Sequence, residues 1–276
     1  MVGGAADSVM AGSGTREYIE AMGWASLGWN SVRHRAMQSL QRSWAHRLTS
    51  QCRLCARWPA QALCEDCMHA CAQPQLRCTL CAIALLPCMT AAAPAVCAEC
   101  RLSAPPLARC VAAVDYAFPW SRCIADFKFL GDPGWAVSLA EVMRHTPWAE
   151  DLIEGSDALL PVPMTASRLR ARGFNQAVLL ARALSGARTD ASLLLRVADA
   201  QTQHALSRAE RWRNLATVFA VEPHRAQEVA GRHLLLIDDV MTTGATLHAA
   251  AKALLDAGAG SVSALVLART PLPGKN

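Results

Sequence analysis

The chain has 276 residues, 53% of them hydrophobic and only 18% charged, which allows a sizeable core in one or two domains and excludes a chain that is mostly solvated and unfolded. The 27 basic and 22 acidic residues leave a net charge of +5, which permits a polyanionic partner without demanding one. No opening segment joins a basic start, an apolar stretch and a small-residue cleavage site, so no secretory signal is expected.

Residues 1–36 begin rich in Gly, Ala and Ser and hold no persistent period, so a disordered extension, or sequence upstream of a start at Met37, is expected there. Over 37–50 the apolar residues Met37, Leu40, Trp44 and Leu48 fall at helical spacing and predict a short amphipathic helix. Arg33, His34, Arg35, Arg42, His46 and Arg47 surround it with no acid among them. A solvated face explains such a helix most simply, and contact with nucleic acid is the sharper alternative.

The next fifty residues are dominated by cysteine. Eight of the chain's 12 cysteines form four CxxC pairs: Cys52/Cys55, Cys64/Cys67, Cys78/Cys81 and Cys97/Cys100. A CxxC turn aims two thiolates at one point, and two such turns make the tetrahedral sulfur cage that suits zinc. Sequential pairing predicts one site from the first four and a second from the last four, in a double zinc ribbon over 51–104. The spacing alone leaves an interleaved arrangement open. Sites with four thiolates and no open position stabilise a small module and do not hydrolyse anything. Cys71 and Cys88 lie outside the pairs and are alternates, while Cys110 and Cys123 read as small buried hydrophobes.

Cys78 to Ala98 carries no charge and has about the length of a spanning helix. Pro87 and Pro94 interrupt it, CxxC pairs sit at both ends, and long apolar side chains are few. A soluble cytoplasmic protein is the expectation.

"SAPPLA" reads as a linker, and from about residue 108 strands and helices alternate. Strands are predicted at "VAAVDYA", "DALLPVP", "LLLRVA", "ATVFAV", "HLLLI" and "SVSALVLAR". Helices are predicted at "RCIADFKFLG", "WAVSLAEVMRH", "NQAVLLARALS", "SRAERWRNLA" and "ATLHAAAKALLDAGA". Such alternation predicts an α/β domain with a mainly parallel sheet over 105–276.

In a parallel sheet, ligands bind beyond the carboxyl ends of the strands. Asp238 and Asp239 come straight off the strand His233–Ile237, and the small-residue loop Met241–Thr246 leads into the next helix. Backbone amides at such a helix start bring partial positive charge to an anion, and the hydroxyls of Thr242, Thr243 and Thr246 add donors. Two carboxylates beside a phosphate repel it unless they face something else, namely sugar hydroxyls, a divalent metal, or both. A phosphorylated sugar with Mg²⁺ near its hydroxyls satisfies both halves.

"DDVMTTGAT" also resembles the 5-phosphoribosyl-1-pyrophosphate (PRPP) loop of type I phosphoribosyltransferases, and the match is complete. "PVPMTASRLRARGFNQAVLLAR", "QTQHALSRAERWRNLATVF" and this loop follow the four CxxC pairs in the order found in the ComF (competence protein F) family, over about Gln51–Arg269. The resemblance implies a parallel sheet of type I phosphoribosyltransferase type, with a hood element, preceded by the cysteine-rich zinc-ribbon module. It implies that Asp238 and Asp239 bind the ribose hydroxyls, directly or through Mg²⁺, and that Thr242, Thr243, Gly244, Ala245 and Thr246 hold the 5′-phosphate. Arg168, Arg170 and Arg172 are then candidates for pyrophosphate, with guanidinium forks that match phosphate oxygens, and Gly173 allows the sharp turn into the helix. Lys128 matches a family lysine that reaches the same anion, and Arg208, Arg211 and Asn214 lie where the fold has a loop closing over PRPP.

Type I chemistry transfers phosphoribose to a nitrogen nucleophile through an oxocarbenium-like transition state and asks little acid–base work of the protein. His204 is a conceivable proton acceptor, though a lone His in "TQHAL" is more often structural. No segment can be assigned to an acceptor base, and the scaffold also serves PRPP-sensing regulators without turnover. The competing reading is an accessory protein of DNA uptake that binds single-stranded DNA or competence-machinery proteins, with Trp44 and Trp58 able to stack on bases and PRPP as regulator.

Overall fold

The computed structural model describes residues 50–85, 95–197 and 218–271. The extension expected over 1–36, the helix over 37–49, the helix at "SRAERWRNLA", and Cys88, His204, Arg208, Arg211 and Asn214 lie outside them.

Four strands form one parallel sheet: β1 (Cys110–Asp115), β2 (Ala158–Pro161), β5 (His233–Met241) and β6 (Ser261–Arg269), in the order β1-β6-β5-β2. β3 (Leu194–Arg196) and β4 (Phe219–Val221) make a separate antiparallel pair. The helices are α1 (Glu65–Cys71) and α2 (Ala98–Leu102) in the cysteine-rich part, then α3 (Trp120–Phe129), α4 (Trp135–Arg144), α5 (Ala149–Glu154), α6 (Ala166–Arg172), α7 (Gln176–Ser185) and α8 (Ala245–Asp256). A 3-10 helix covers Pro223–Val229. No helix among the described residues is long and apolar enough to cross a membrane.

The strands read as unbroken aliphatic runs because both sheet faces are covered, and period-2 alternation sends neighbouring residues to opposite layers. Val111, Leu159, Leu235, Ile237 and Leu265 face the layer of α3, α4, α5 and α7. Ala112, Leu160, Leu234, Leu236, Ala264 and Val266 face the layer of α8. The central strand β5 is longer than predicted. It does not stop at Ile237 but continues through both aspartates to Met241, paired with β6 as Asp238↔Val266 and Met241↔Arg269.

The two cysteine-rich halves dock on opposite layers. From the first, Leu54, Met68, Cys71 and Ala72 pack against the α3/α4 layer. There the Trp120 indole N–H donates to the Cys71 carbonyl at 2.7 Å, and Arg53 lies 2.5 Å from Asp132 and 4.6 Å from the Trp135 ring. From the second, Ala82 is fully buried in the α8 layer. It also reaches β1, whose outer edge is otherwise unpaired in this sheet: the Cys110 N–H donates to the Thr79 carbonyl at 2.8 Å. Covering an edge strand in this way removes a site for unwanted strand pairing.

At the other edge, Thr189 bridges to Leu159 of β2. Asp190 beyond it accepts from Arg225 at 2.6 Å, tying the 3-10 helix to the sheet, and the Arg225 guanidinium and the Ser192 hydrogen bonds hold the Asp190 carboxyl down at about 2 against the cost of burial.

Candidate functional site

The carboxyl ends of the strands carry one cluster of charged side chains. Asp239 is buried at the end of β5, on the side of α3. The Lys128 ammonium, from the last turn of α3, lies 2.9 Å from its Oδ1. The Asp239 N–H donates to the Asp238 carboxylate at 2.8 Å. Burial first, and then repulsion from Asp239, push the Asp238 carboxyl up to about 7, although that N–H and Lys128 pull the other way. The free chain therefore gathers two acidic side chains and one ammonium, which rests on Asp239, and a second cation would favour the ionised form of Asp238.

The loop after β5 is shaped by Gly244. Its φ is +83°, and a Cβ there would lie 2.5 Å from Met241 Cε and 2.9 Å from His248 Nε2, so only glycine fits both the conformation and the space. Gly244 caps α8 without a side-chain hydrogen bond, which leaves the helix start to accept an anion. Thr242 and Thr243 are exposed above it, Ala245 and Thr246 are half-buried, and the Thr243 hydroxyl accepts from the Ala245 N–H at 3.3 Å.

Pro161 pairs with Ile237, so the loop that follows β2 lies beside the aspartates. It is not an open loop throughout, because Ala166–Arg172 forms the short helix α6, capped by the Thr165 hydroxyl at one end and by Gly173 in the left-handed region at the other. Arg168 and Arg170 are exposed. Arg172 is half-buried, 3.3 Å from the Gln176 amide oxygen and 5.2 Å from the Phe129 ring. Asn175 fastens this loop by donating to the Val162 carbonyl at 3.0 Å and capping α7. Of the residues expected at a PRPP site, the structure thus gathers Asp238, Asp239, Lys128 and Thr242–Thr246. It sets Arg172 over the Phe129 ring and leaves Arg168 and Arg170 exposed on α6.

Arg269 was not singled out in the sequence. It is 8% exposed at the end of β6 and binds the loop from below, donating to the carbonyls of Met241 at 3.2 Å, Thr242 and Thr270 at 2.9 Å. An arginine closing an aliphatic strand is the signal that could have found it, as the aspartates were found on β5.

His248 is buried behind Gly244, on the second turn of α8. Burial, with Arg269 opposing and Glu99 favouring its charge, holds its imidazole down at about 4. The folded pKa is below the ordinary value of 6.5. Above that value both states are neutral and nothing is lost; as pH falls below it, the unfolded chain takes the proton first, so stability falls until about pH 4. His248→Gln should remove up to about 3 kcal/mol of the acid-induced loss. Urea unfolding at pH 7 and pH 4.5 measures it, and an equal loss in wild type and variant would refute the assignment.

The cysteines form two tetrads, Cys52/Cys55/Cys64/Cys67 and Cys78/Cys81/Cys97/Cys100, with all sulfurs of each within 4.8 Å of one another. The pairing is sequential, not interleaved. Cys55 and Cys64 sulfurs are 3.7 Å apart, as are those of Cys81 and Cys97, and Cys52 and Cys67 are 3.9 Å apart. Four sulfurs at zinc–sulfur bonds of about 2.3 Å stand about 3.8 Å from one another, so both tetrads fit zinc. Backbone amides point at the sulfurs: Cys64 N–H to Cys52 at 3.4 Å and Cys97 N–H to Cys78 at 3.3 Å. The Cys81 thiol and the amides of Cys97, Leu80 and Cys81 draw the Cys78 thiol down to about 4 against the cost of burial, while Cys78 and burial push Cys81 up, so the free pair shares one proton that a metal would displace. Cys71 belongs to neither tetrad, and Cys110 and Cys123 are buried apart from them, with burial pushing Cys110 up to about 12.

Comparison with known proteins agrees with this geometry. Residues 169–275 match the phosphoribosyl transferase domain family. The chain is 33% identical over 227 residues to the DNA utilization protein YhgH of Salmonella typhimurium, covering 79% of this chain and 90% of that one. It is 40% identical over 148 residues to the competence protein ComFC of Bacillus subtilis, covering 53% and 58% of the two chains. Against competence protein F of Haemophilus influenzae it is 32% identical over 180 residues, covering 63% and 78%.

Proposed function

Starting from a chain that belongs to the ComF family, with a type I phosphoribosyltransferase domain behind its cysteine tetrads, we propose that it binds Mg-PRPP and transfers the phosphoribosyl group to a nitrogen nucleophile. One observation carries this reading: two adjacent carboxylates and a lysine meet at a strand end beside a helix start that only glycine can open.

Asp238 and Asp239 would hold the ribose hydroxyls and Mg²⁺. The amides of Thr242–Thr246 and the threonine hydroxyls take the 5′-phosphate. Bound Mg²⁺ supplies positive charge to the pyrophosphate. Lys128 is held by Asp239 in the free protein and reaches the pyrophosphate by leaving that carboxylate. Arg168, Arg170 and Arg172 offer forked donors to the same group. Arg211, which lies outside the described residues, is a further candidate for the same group, as the family resemblance implies. The nucleophile's lone pair then forms a bond to C1 as the C1–O bond breaks, and the bonding pair leaves with pyrophosphate. We also propose that the chain divides into a double zinc ribbon over 51–104 and a transferase domain over 105–276, with zinc in both tetrads.

Titration calorimetry of the purified protein with PRPP, with and without Mg²⁺, tests the reading. Mg-dependent binding at one site per chain is the expected result. Absence of binding in a zinc-loaded, folded protein would overturn it. The second reading, an accessory protein that binds single-stranded DNA, is favoured by the names of the relatives and by the exposed Trp58, Arg168 and Arg170. Salt-dependent retention of single strands without PRPP binding would support it instead.

A further inference from the structure

Arg269 does more than support the phosphate loop. Its Nη1 donates to the carbonyls of Met241, Thr242 and Thr270, while its Nε donates to the carbonyl of Cys81 at 2.9 Å. Cys81 is a member of the second tetrad. One planar, rigid guanidinium therefore holds a metal-ligand turn and the start of the phosphate loop in a fixed relation, and neither can shift without straining or breaking a bond to the other. All four acceptors are backbone carbonyls, so position and not side-chain identity is what is passed on. The next residue, Ala82, is fully buried under α8 at a φ of 55°, which fixes the same turn from the other side. Among the described residues the first tetrad has no such direct link to the loop, and its contacts run through Arg53, Asp132, Cys71 and Trp120 on the opposite layer.

We propose that Arg269 is a positioning residue that couples the second cysteine tetrad, and not the first, to the phosphate loop. A metal in that tetrad fixes the Cys81 carbonyl, Arg269 carries that position to Met241 and Thr242, and the loop stands ready for the 5′-phosphate. Coupling is reciprocal, so ligand in the loop steadies the second tetrad in turn. The proposal rests on the PRPP reading above.

The test uses the full-length zinc-loaded protein and a readout independent of turnover. Iodoacetamide alkylation of each cysteine is followed by mass spectrometry of peptides, with and without saturating Mg-PRPP. Alkylation of Cys78, Cys81, Cys97 and Cys100 should slow about fivefold or more, the lower range of measured couplings, while Cys52, Cys55, Cys64 and Cys67 stay unchanged. Arg269→Lys keeps the charge, loses the fork, and should abolish the protection. Merely structural support would lower the melting temperature of Arg269→Lys and leave the contrast between tetrads intact. Should that variant fail to fold, the contrast in the wild type decides alone. Equal protection of both tetrads, or of neither in a protein that calorimetry shows to bind Mg-PRPP, overturns the coupling but not the binding site. No Mg-PRPP binding at all overturns the function and the coupling together.

Discussion

Replacing Asp238 and Asp239 together by asparagine is expected to weaken Mg-PRPP binding about 30-fold or more, the loss of roughly 2 kcal/mol that follows when charged acceptors are removed from a buried site. The folded protein should tolerate the change. Burial and Asp239 both oppose the charge of Asp238 and push its carboxyl up to about 7, so the neutral acid that asparagine resembles in shape costs the free chain little. Asp239→Asn leaves Lys128 short of a partner, but removing two adjacent acids also removes their repulsion. The melting temperature of the ligand-free double variant should therefore stay close to that of the wild type. Residues kept at a cost to the empty protein are the mark of a site shaped for a ligand. Calorimetry and thermal melting on the same sample check both halves, and unchanged affinity with a native melt would sink the assignment.

Cys78→Ser should have the larger effect on structure. Cys78 is completely buried, and among the described residues its fully buried companions in the local cluster are Ile83 and Cys100, with Leu80, Leu85 and Val96 packed partly buried against them. So small a cluster is a weak hold on the segments 77–85 and 95–102, and zinc in the tetrad, as proposed, would supply the rest. Zinc content is expected to fall from two ions per chain to one, with a loss of about 5 kcal/mol or more, since binding and folding of such sites are one process. The damage should spread to the sheet, because Ala82 packs under α8 and Thr79 covers the edge of β1. Metal analysis with limited proteolysis measures it. A variant that keeps native protection without its zinc would refute the structural role.

The residues differ in how openly they announced these roles. "SVSALVLAR" marks β6 over the span it occupies, because a strand covered on both faces leaves the unbroken buried apolar run Ala264–Ala268. β5 is cut short in the sequence reading because carboxylates have little strand propensity; pairing with β6 carries the backbone past them. α6 escapes detection for the opposite reason. None of its seven residues is buried, so no apolar period exists to find. CxxC spacing points to two tetrads, and only the fold settles their sequential pairing. The link through Arg269 joins positions 188 residues apart by a backbone carbonyl, which has no side-chain signature to read.

The strand order has a consequence for synthesis. β1 is the first strand of the sheet to leave the ribosome, yet its only neighbour in the sheet is β6, made about 150 residues later. The cysteine-rich segments precede β1, so a metal can fill them early, at a time when the surfaces they dock on do not yet exist. From the end of β1 until β6 is made the nascent chain carries its cysteine tetrads beside an unpaired strand, and the last nine-residue strand completes the sheet and brings Arg269 to the phosphate loop in one event. A ribosome stalled before Ser261 would hold a chain with both sets of cysteines already made and β1 still without its partner strand.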